Sequence, residues 1–320
     1  MSVPVFEIAI LGRVDWNLHS LNNEGTVGNV SEPRTVVLWD GKKSDGVSGE
    51  MLKHIHAQNV WLVSENKSQF CESCRAMNPQ KADKNPEVLG VKAAKDKLAG
   101  AAMSVAISSC TLCDLHGFLV QRPTIARAST VEFGWAVAVR DGFHREIHLH
   151  ARHAVEARAE APEGEKEAAS EVSGQMIYHR PTRSGKYAVV SVFQPWRIGL
   201  NEVSYQYVDG VDRGSRYRLG LEAYKASFAR TDGAMTSTRL PHVEDLEGVV
   251  LVSSRNFPVP VTSPLKESYR EGAEKLQKVS PGLELERFES LSDLYSILTK
   301  LGERPPLTLA VSVQEKKGKK

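Results

Sequence analysis

The chain has 320 residues, 41% of them hydrophobic, and a formal charge of +2. That is enough apolar material for a sizeable core, in one large or two ordinary domains, and too little net charge for a generally basic surface, so any nucleic-acid role falls to local patches. No apolar run approaches the roughly 18–20 residues that span a bilayer, and the opening Met1-Ser2-Val3-Pro4 lacks the basic and apolar segments of a secretion signal, so the expectation is a folded cytoplasmic protein with no membrane association.

In residues 6–19, Phe6, Ile8, Ile10, Val14, Trp16 and Leu18 fall on one side of an alternating row, with only Gly12 breaking it. Glu7, Arg13, Asp15, Asn17 and His19 fall on the other, which predicts a half-buried strand with one polar face. His19-Ser20-Leu21-Asn22-Asn23-Glu24-Gly25, followed by Gly28 and Asn29, is rich in the short side chains and glycines of tight, hydrogen-bonded loops, a setting suited to a flexible polar ligand. Residues 35–39 read as a short strand and Asp40-Gly41 as a turn. A helix begins at Ser48-Gly49, with Ser48 as N-cap, Glu50 in the first turn, and Met51, Leu52 and Ile55 facing inward. Lys53, His54 and His56 lie in its early turns, where cations beside unpaired backbone N–H groups suit phosphate; the plainer reading is a solvated charged face.

Between residues 70 and 115 the composition turns polar and the periodicity fades. Cys71-Glu72-Ser73-Cys74 and Cys110-Thr111-Leu112-Cys113 are two knuckles whose four thiolates suit one tetrahedral structural zinc, predicting a zinc-clasped insertion over residues 66–118 that is too polar to fold without it. The gap exceeds ordinary finger spacing. Four protein ligands leave no open position for catalysis.

Residues 131–139 alternate as a strand, and residues 145–153 carry a histidine-rich face. His148 and His150 point the same way from a strand, and with His153 they form the best enzymatic alternative, a metal-dependent nuclease or hydrolase. No aspartate follows closely, and His144 to His148 lacks the helical zincin pattern. Residues 155–173 are acidic, alanine-rich and unable to bury themselves; flanked by strands, they read as the exposed tip of an extension spanning residues 145–180. Met176 to Arg180, a turn at Ser184-Gly185, and residues 187–193 predict a hairpin.

Arg213 opens a periodic helix with Tyr217, Leu221, Tyr224 and Phe228 on one face. Gly220, Ala223 and Ser227 make a thin stripe for close approach of another backbone. Arg213, Arg216 and Arg218 crowd its start, where the dipole disfavours cations, so an anionic ligand or partner is one reading and surface charge the other. A polar loop over residues 233–242 carries Arg239 and leads to an apolar strand at 249–252. Ser263-Pro264 predicts a helix start, a last helix runs over 291–301, and residues 314–320 read as a disordered basic tail. With no internal repeat and no linker, the expectation is a single mixed α+β domain over residues 1–320.

Residues 11–25 (LGRVDWNLHSLNNEG), 49–56 (GEMLKHIH), 173–180 (SGQMIYHR) ahead of 186–193 (KYAVVSVF), and 233–250 (GAMTSTRLPHVEDLEGVV) with 257–264 (FPVPVTSP) together resemble the CRISPR-associated backbone subunits of type I Cascade complexes, the Cas-seven or DevR-type branch of the repeat-associated RNA-binding proteins. The resemblance spans residues 5–264. It implies a modified RRM-like (ferredoxin-like) palm with an inserted region and an extended β-hairpin thumb, a non-catalytic subunit stacked in a helical filament on the crRNA spacer, target DNA met through the guide, and other Cascade subunits as partners. Each thumb would fold over the guide and displace one base.

The expected RNA-binding set is Arg13, His19, Ser20, Asn22, Asn23, Ser48, Gly49, Lys53, His54, Arg180, Arg213, Arg216, Arg218 and Arg239; the expected metal ligands are Cys71, Cys74, Cys110 and Cys113. A scaffold that accepts any spacer must bind phosphate and ribose through backbone N–H groups, small polar side chains and a few cations, and loops of this composition do so. The RRM aromatic signature is absent, so base stacking on the sheet face is not expected. The cysteine knuckles lie outside the shared motifs, and the acidic tip is expected to touch a neighbouring protein rather than RNA.

Overall fold

The apolar row at the start of the chain forms a 13-residue strand, β1 (Glu7–His19). The computed structural model describes residues 2–153, 175–234 and 236–310; the expected thumb tip at 155–173 and the basic tail lie outside them. After β1 come β2 (Asn23–Val27), β3 (Val30–Pro33), β4 (Thr35–Val37), β5 (Lys43–Val47) and α1 (Gly49–Val63). The insertion holds α2 (Glu72–Arg75), α3 (Pro86–Leu89), α4 (Leu98–Ser109) and α5 (Thr111–His116). Then follow β6 (Phe118–Val120), β7 (Ile125–Arg127), β8 (Val131–Phe133), β9 (Ala136–His153), β10 (Gln175–Phe193), β11 (Leu200–Asn201) and β12 (Gln206–Tyr207). The chain closes with α6 (Arg213–Ala229), β13 (His242–Ser253), α7 (Tyr269–Val279), β14 (Leu283–Phe288) and α8 (Leu291–Gly302).

One ten-stranded sheet dominates, in the order β14-β13-β1-β10-β9-β5-β4, with β3 and β8 also paired to β10. β1 is antiparallel to both neighbours, Ile10 standing opposite Ser191 on one side and Val250 on the other. At the centre, β1, α1, β9, β10, α6 and β13 trace βαββαβ, with spatial order β13-β1-β10-β9. The stripe expected on α6 is where α1 rests: the Asn59 amide donates to Ser227 Oγ at 3.1 Å, and His56 Nε2 meets Gly220 O at 3.1 Å. A Cβ on Gly220 would stand 2.8 Å from the Phe193 ring, so glycine seats the helix on the sheet.

Both faces of β1 are covered, which corrects the expectation of one polar face. Ile8, Ile10, Val14 and Trp16 enter the main core, while Ala9 and Leu11 pack with Val249, Leu251 and Ala273 in a second cluster on the α7 side. The insertion is likewise less polar in space than in sequence, because Phe70, Val88, Met103 and Ile107 are buried within the main core.

Three local expectations give way. β10 is one 19-residue strand, and Ser184-Gly185 marks a register shift opposite Phe143 rather than a hairpin turn; a Cβ on Gly185 would lie 2.6 Å from Gly142 O, so glycine serves close strand approach. The strand expected over 131–139 breaks at Gly134-Trp135 into β8 and β9. α7 starts at Tyr269, after turns around Pro264, whose carbonyl instead accepts from Arg13 Nε at 2.8 Å. Among the described residues no helix is long and apolar enough to cross a membrane.

Candidate nucleic-acid interface and cysteine cluster

The start of α1 is held by its neighbours. Ser48 Oγ accepts from Met51 N at 3.3 Å, the N-cap expected from sequence, and Ser48 N donates to Asn22 Oδ1 at 2.7 Å. Asn22 takes a left-handed φ of 55°, a region that asparagine tolerates, and Asn23 donates to Ser20 Oγ at 3.2 Å. A Cβ on Gly49 would lie 2.3 Å from Phe133 O, so only glycine lets the helix approach β8 this closely. Ser20, Asn22, Ser48 and Gly49 therefore shape the loop and helix start.

In front of that helix start lies a cleft of about 430 Å³, lined by Gly49, Glu50, Lys53, Ser129, Glu132 and Trp135 among others. Lys53 is half-buried, and desolvation lowers its pKa while Glu132 and Glu50 act to raise it. Trp135 is 40% exposed, with the Arg34 guanidinium 5.8 Å from its ring. Sequence reasoning missed Trp135 because it read as one more residue of a continuous strand; the glycine before it was the available signal of a break. One residue beyond Lys53, His54 is exposed beside the 233–239 loop, where a Cβ on Gly233 would lie 3.3 Å from its Nε2.

The same loop delivers Arg239 to the β9–β10 ribbon. There Tyr178 pairs with His150 and Arg180 with His148 across the strands. The His150 and Tyr178 rings stack at 5.3 Å, and the Arg180 guanidinium sits 4.8 Å from the Tyr178 ring. Arg239 Nη2 donates to His150 Nε2 at 2.6 Å; desolvation and then the charges of Arg239, Arg180 and His148 lower the His150 pKa. An imidazole whose lone pair faces a guanidinium is a poor metal ligand. His148 Nε2 stands 3.6 Å from Glu146, and the His153 side chain lies outside what is described. Among the described residues, the only group of three or more potential metal ligands is the cysteine set, so the geometry gives no support to the histidine-based nuclease or hydrolase.

Several expected RNA contacts are committed to the protein itself. Arg13 lies on the α7 side of the sheet, its guanidinium on Pro264 O and Glu267. His19 is fully buried, its Nε2 2.9 Å from the Tyr187 hydroxyl. Burial and the nearby Arg183 hold its pKa well below the usual value. Asp45, buried beneath, accepts from Tyr187, Arg183 and Arg145. Arg213 donates to Ile198 O and Leu307 O. Arg216 donates to Asp114 Oδ2 at 2.8 Å and to Ile107 O, so the anion expected at the start of α6 is the chain's own carboxylate. His56, read as an early-turn cation, is buried against His116. Arg218 stays exposed, near Gly302. Arg13, His19 and Arg216 are thus buried, while Arg213 is half-buried with its guanidinium held on backbone carbonyls.

The two cysteine knuckles do meet. The sulfurs of Cys71, Cys74, Cys110 and Cys113 all lie within 4.8 Å of one another and are buried, Cys74 and Cys113 being 3.7 Å apart. Four sulfurs each about 2.3 Å from one tetrahedral ion would stand roughly 3.8 Å apart, so the donor set fits such an ion. Hydrogen bonds among the four sulfurs push the Cys71 thiol down and the Cys74 and Cys113 thiols up, so the crowded set shares its protons, and a bound metal would have to displace them. Next to the cluster, Asp114 is fully buried and accepts from Arg127, Arg216 and Gly199 N, which joins the insertion to α6.

Taken together, this is a mixed α/β chain on a large antiparallel sheet, with cationic and aromatic groups on a cleft and a ribbon and four buried thiols clustered in the insertion. A family model described as CRISPR-associated negative auto-regulator DevR/Csa2 matches residues 10–274, and the chain belongs to that family. No curated protein matches it. It is similar to a chain of a solved "CRISPR RNA-guided surveillance complex, pre-nicking", at 12% identity over 93% of this chain and 99% of that one with a TM-score of 0.52, a likeness of fold. A second solved chain, of a "CRISPR RNA-guided surveillance complex", shares 12% identity over 93% of this chain and 98% of its own with a TM-score of 0.46.

Proposed function

We propose that the chain is the crRNA-binding backbone subunit of a type I Cascade complex, acting in the cytoplasm without catalysis. Several copies line the guide spacer and present it to target DNA alongside other Cascade subunits. The observation that carries this reading is the set of cationic and aromatic groups that follow one another by contact: Trp135 and Lys53 in the cleft, His54 beside the 233–239 loop, and that loop's Arg239 on the His150–Tyr178–Arg180 group of the ribbon. Cations bind phosphate without regard to sequence, and an exposed aromatic stacks on any base. Such a surface suits a guide of arbitrary sequence.

The strand order β13-β1-β10-β9 with α1 and α6 on one face supports reading the centre as an RRM-like palm, and β9–β10 as the base of the thumb. Cys71, Cys74, Cys110 and Cys113 would hold a structural zinc that clasps the insertion to the palm. The test is to co-express the chain with a CRISPR array, purify it, and sequence the RNA that accompanies it. Protected fragments covering the spacer are expected; RNA unrelated to the array, or none, would overturn the reading.

A further inference from the structure

A guanidinium carries two N–H groups side by side on its Nε–Nη2 edge, the edge that grips a carboxylate or a phosphate with paired hydrogen bonds. In this chain the buried arginines use it. Arg197 holds Glu202 Oε1 there, at 2.8 Å from Nε and 2.5 Å from Nη2. Arg127 holds the Asp114 carbonyl and carboxylate there, at 3.0 and 2.6 Å. Arg183, on β10, is the exception. It is fully buried, yet only its Nη1 is engaged, donating to Asp45 Oδ1 at 3.1 Å and Oδ2 at 2.9 Å. Its Nε and Nη2 find no acceptor among the described residues.

The charge balance points the same way. Arg145 stands directly opposite Arg183 in the β9–β10 register and donates to the same carboxylate at 3.1 Å. Asp45 also accepts from the Tyr187 hydroxyl. His19, opposite Arg183 on the β1 side, is buried and its pKa is held well below the usual value by that burial and by Arg183, so it is neutral at pH 7. Two guanidiniums therefore share one carboxylate. Asp114 likewise faces two, Arg127 and Arg216, but there the carbonyls of Leu200, Arg197, Ile107 and Ser108 take up further N–H groups. At Arg183 both the surplus charge and the paired donors call for a partner.

We propose that the Nε–Nη2 edge of Arg183, together with Arg145, binds a phosphate-like oxyanion. Two oxygens of a tetrahedral anion match the two parallel N–H groups, whereas chloride supplies charge without the paired acceptors. The Arg145 side chain is 31% exposed, which gives the anion its approach from solvent. Lys43, exposed on the face of β5 that also carries Asp45, adds positive charge on that approach. Asp45 keeps its bonds from Arg183 Nη1 and Tyr187 when Arg145 turns to the ligand. The oxyanion is either free phosphate or a phosphodiester of a nucleic-acid strand, and the site stands without the RNA reading.

The experiment uses the full chain freed of nucleic acid, with inorganic phosphate as the probe. Equilibrium dialysis against labelled phosphate in chloride buffer is expected to find one phosphate per chain. Arg183→Lys keeps the charge and loses the paired edge; Arg145→Gln removes the rim charge and leaves Asp45 two donors. Each is expected to weaken phosphate binding roughly tenfold or more with the far-UV spectrum unchanged. Where Arg183→Lys fails to fold, Arg145→Gln and its partial rescue by Arg145→Lys carry the test. No phosphate on the native chain, or equal binding by Arg145→Gln, would mean that the edge meets only water and would overturn the proposal. Dialysis is then repeated with the chain on single-stranded RNA. Release of phosphate by RNA would identify a strand phosphodiester as the occupant, and phosphate and RNA bound together would identify a free oxyanion. Phosphate bound by a chain that takes up no RNA would sink the RNA reading and leave the site standing.

Discussion

The His19 imidazole and the Tyr187 hydroxyl meet at 2.9 Å, both sealed from solvent, and the same hydroxyl lies 2.8 Å from Asp45 Oδ2. Burial, then the Asp45 charge, raises the Tyr187 pKa, so the phenol keeps its proton and donates it to the carboxylate. It must therefore accept from His19, which places the imidazole proton on Nε2 and leaves Nδ1 to accept from Leu21 N at 3.3 Å. Through this relay β10 fixes the direction in which the chain leaves β1. Tyr187→Phe strips Asp45 of one donor and His19 of its acceptor, and is expected to cost about 1–3 kcal/mol, read from the urea midpoint. An unchanged midpoint would mean that the relay does not hold the loop.

A second consequence concerns acid. Burial lowers the His56 pKa to about 3, the hydrogen bond to Gly220 offsetting only part of the shift, and its Nδ1 stands 2.9 Å from His116 Nε2. The His116 pKa is lowered too, by burial and then by the charges of His56, Lys81, Lys53 and His54. In the unfolded chain these rings titrate near 6.5. Between that value and about 3, the unfolded state binds more protons than the folded one, so stability is full above pH 6.5 and falls as pH drops. Each such ring is expected to cost about 2 kcal/mol between pH 7 and pH 5. Urea midpoints at pH 7, 6 and 5, with metal content followed alongside, check this; a flat midpoint would sink it.

What was legible in the sequence was local. The alternation of β1, the Ser48 cap, the Gly220-Ala223-Ser227 stripe and the two cysteine knuckles each depend on spacings of a few residues, and each formed. What stayed hidden depends on remote chain. Arg216 looked available for an anion because Asp114, its partner, lies 102 residues away. The odd face of β1 looked solvated because α7 covers it from the far end of the sequence. Ser184-Gly185 carried the composition of a turn, and only the neighbouring strand at Gly142 and Phe143 makes it a register shift within β10.

The cleft separates two kinds of RNA contact. Lys53→Ala removes one cation and is expected to weaken binding of all sequences alike, lowering the slope of log affinity against log salt by about one unit or less. Trp135→Ala removes a stacking surface and is expected to cost about 1–3 kcal/mol with the salt slope unchanged. Fluorescence anisotropy on two unrelated RNAs at several salt concentrations distinguishes them. A sequence-selective loss for Lys53→Ala, or no loss for Trp135→Ala, would remove that residue from the interface.

The cysteine cluster makes the last prediction, because Asp114 follows Cys113 directly and binds both Arg127 and Arg216. A metal that fixes the second knuckle would also fix the carboxylate on which two buried guanidiniums depend, so its loss should be felt in α6 as well as in the insertion. Cys74→Ser is expected to release one zinc per chain by elemental analysis and to expose amides of α4, α5 and the start of α6 to hydrogen exchange together. Asp114→Asn should leave the zinc in place yet cost about 3–5 kcal/mol, since it leaves buried arginine charge uncompensated. Zinc retained after Cys74→Ser, or protection of α6 unchanged once zinc is lost, would show that clasp and palm are independent.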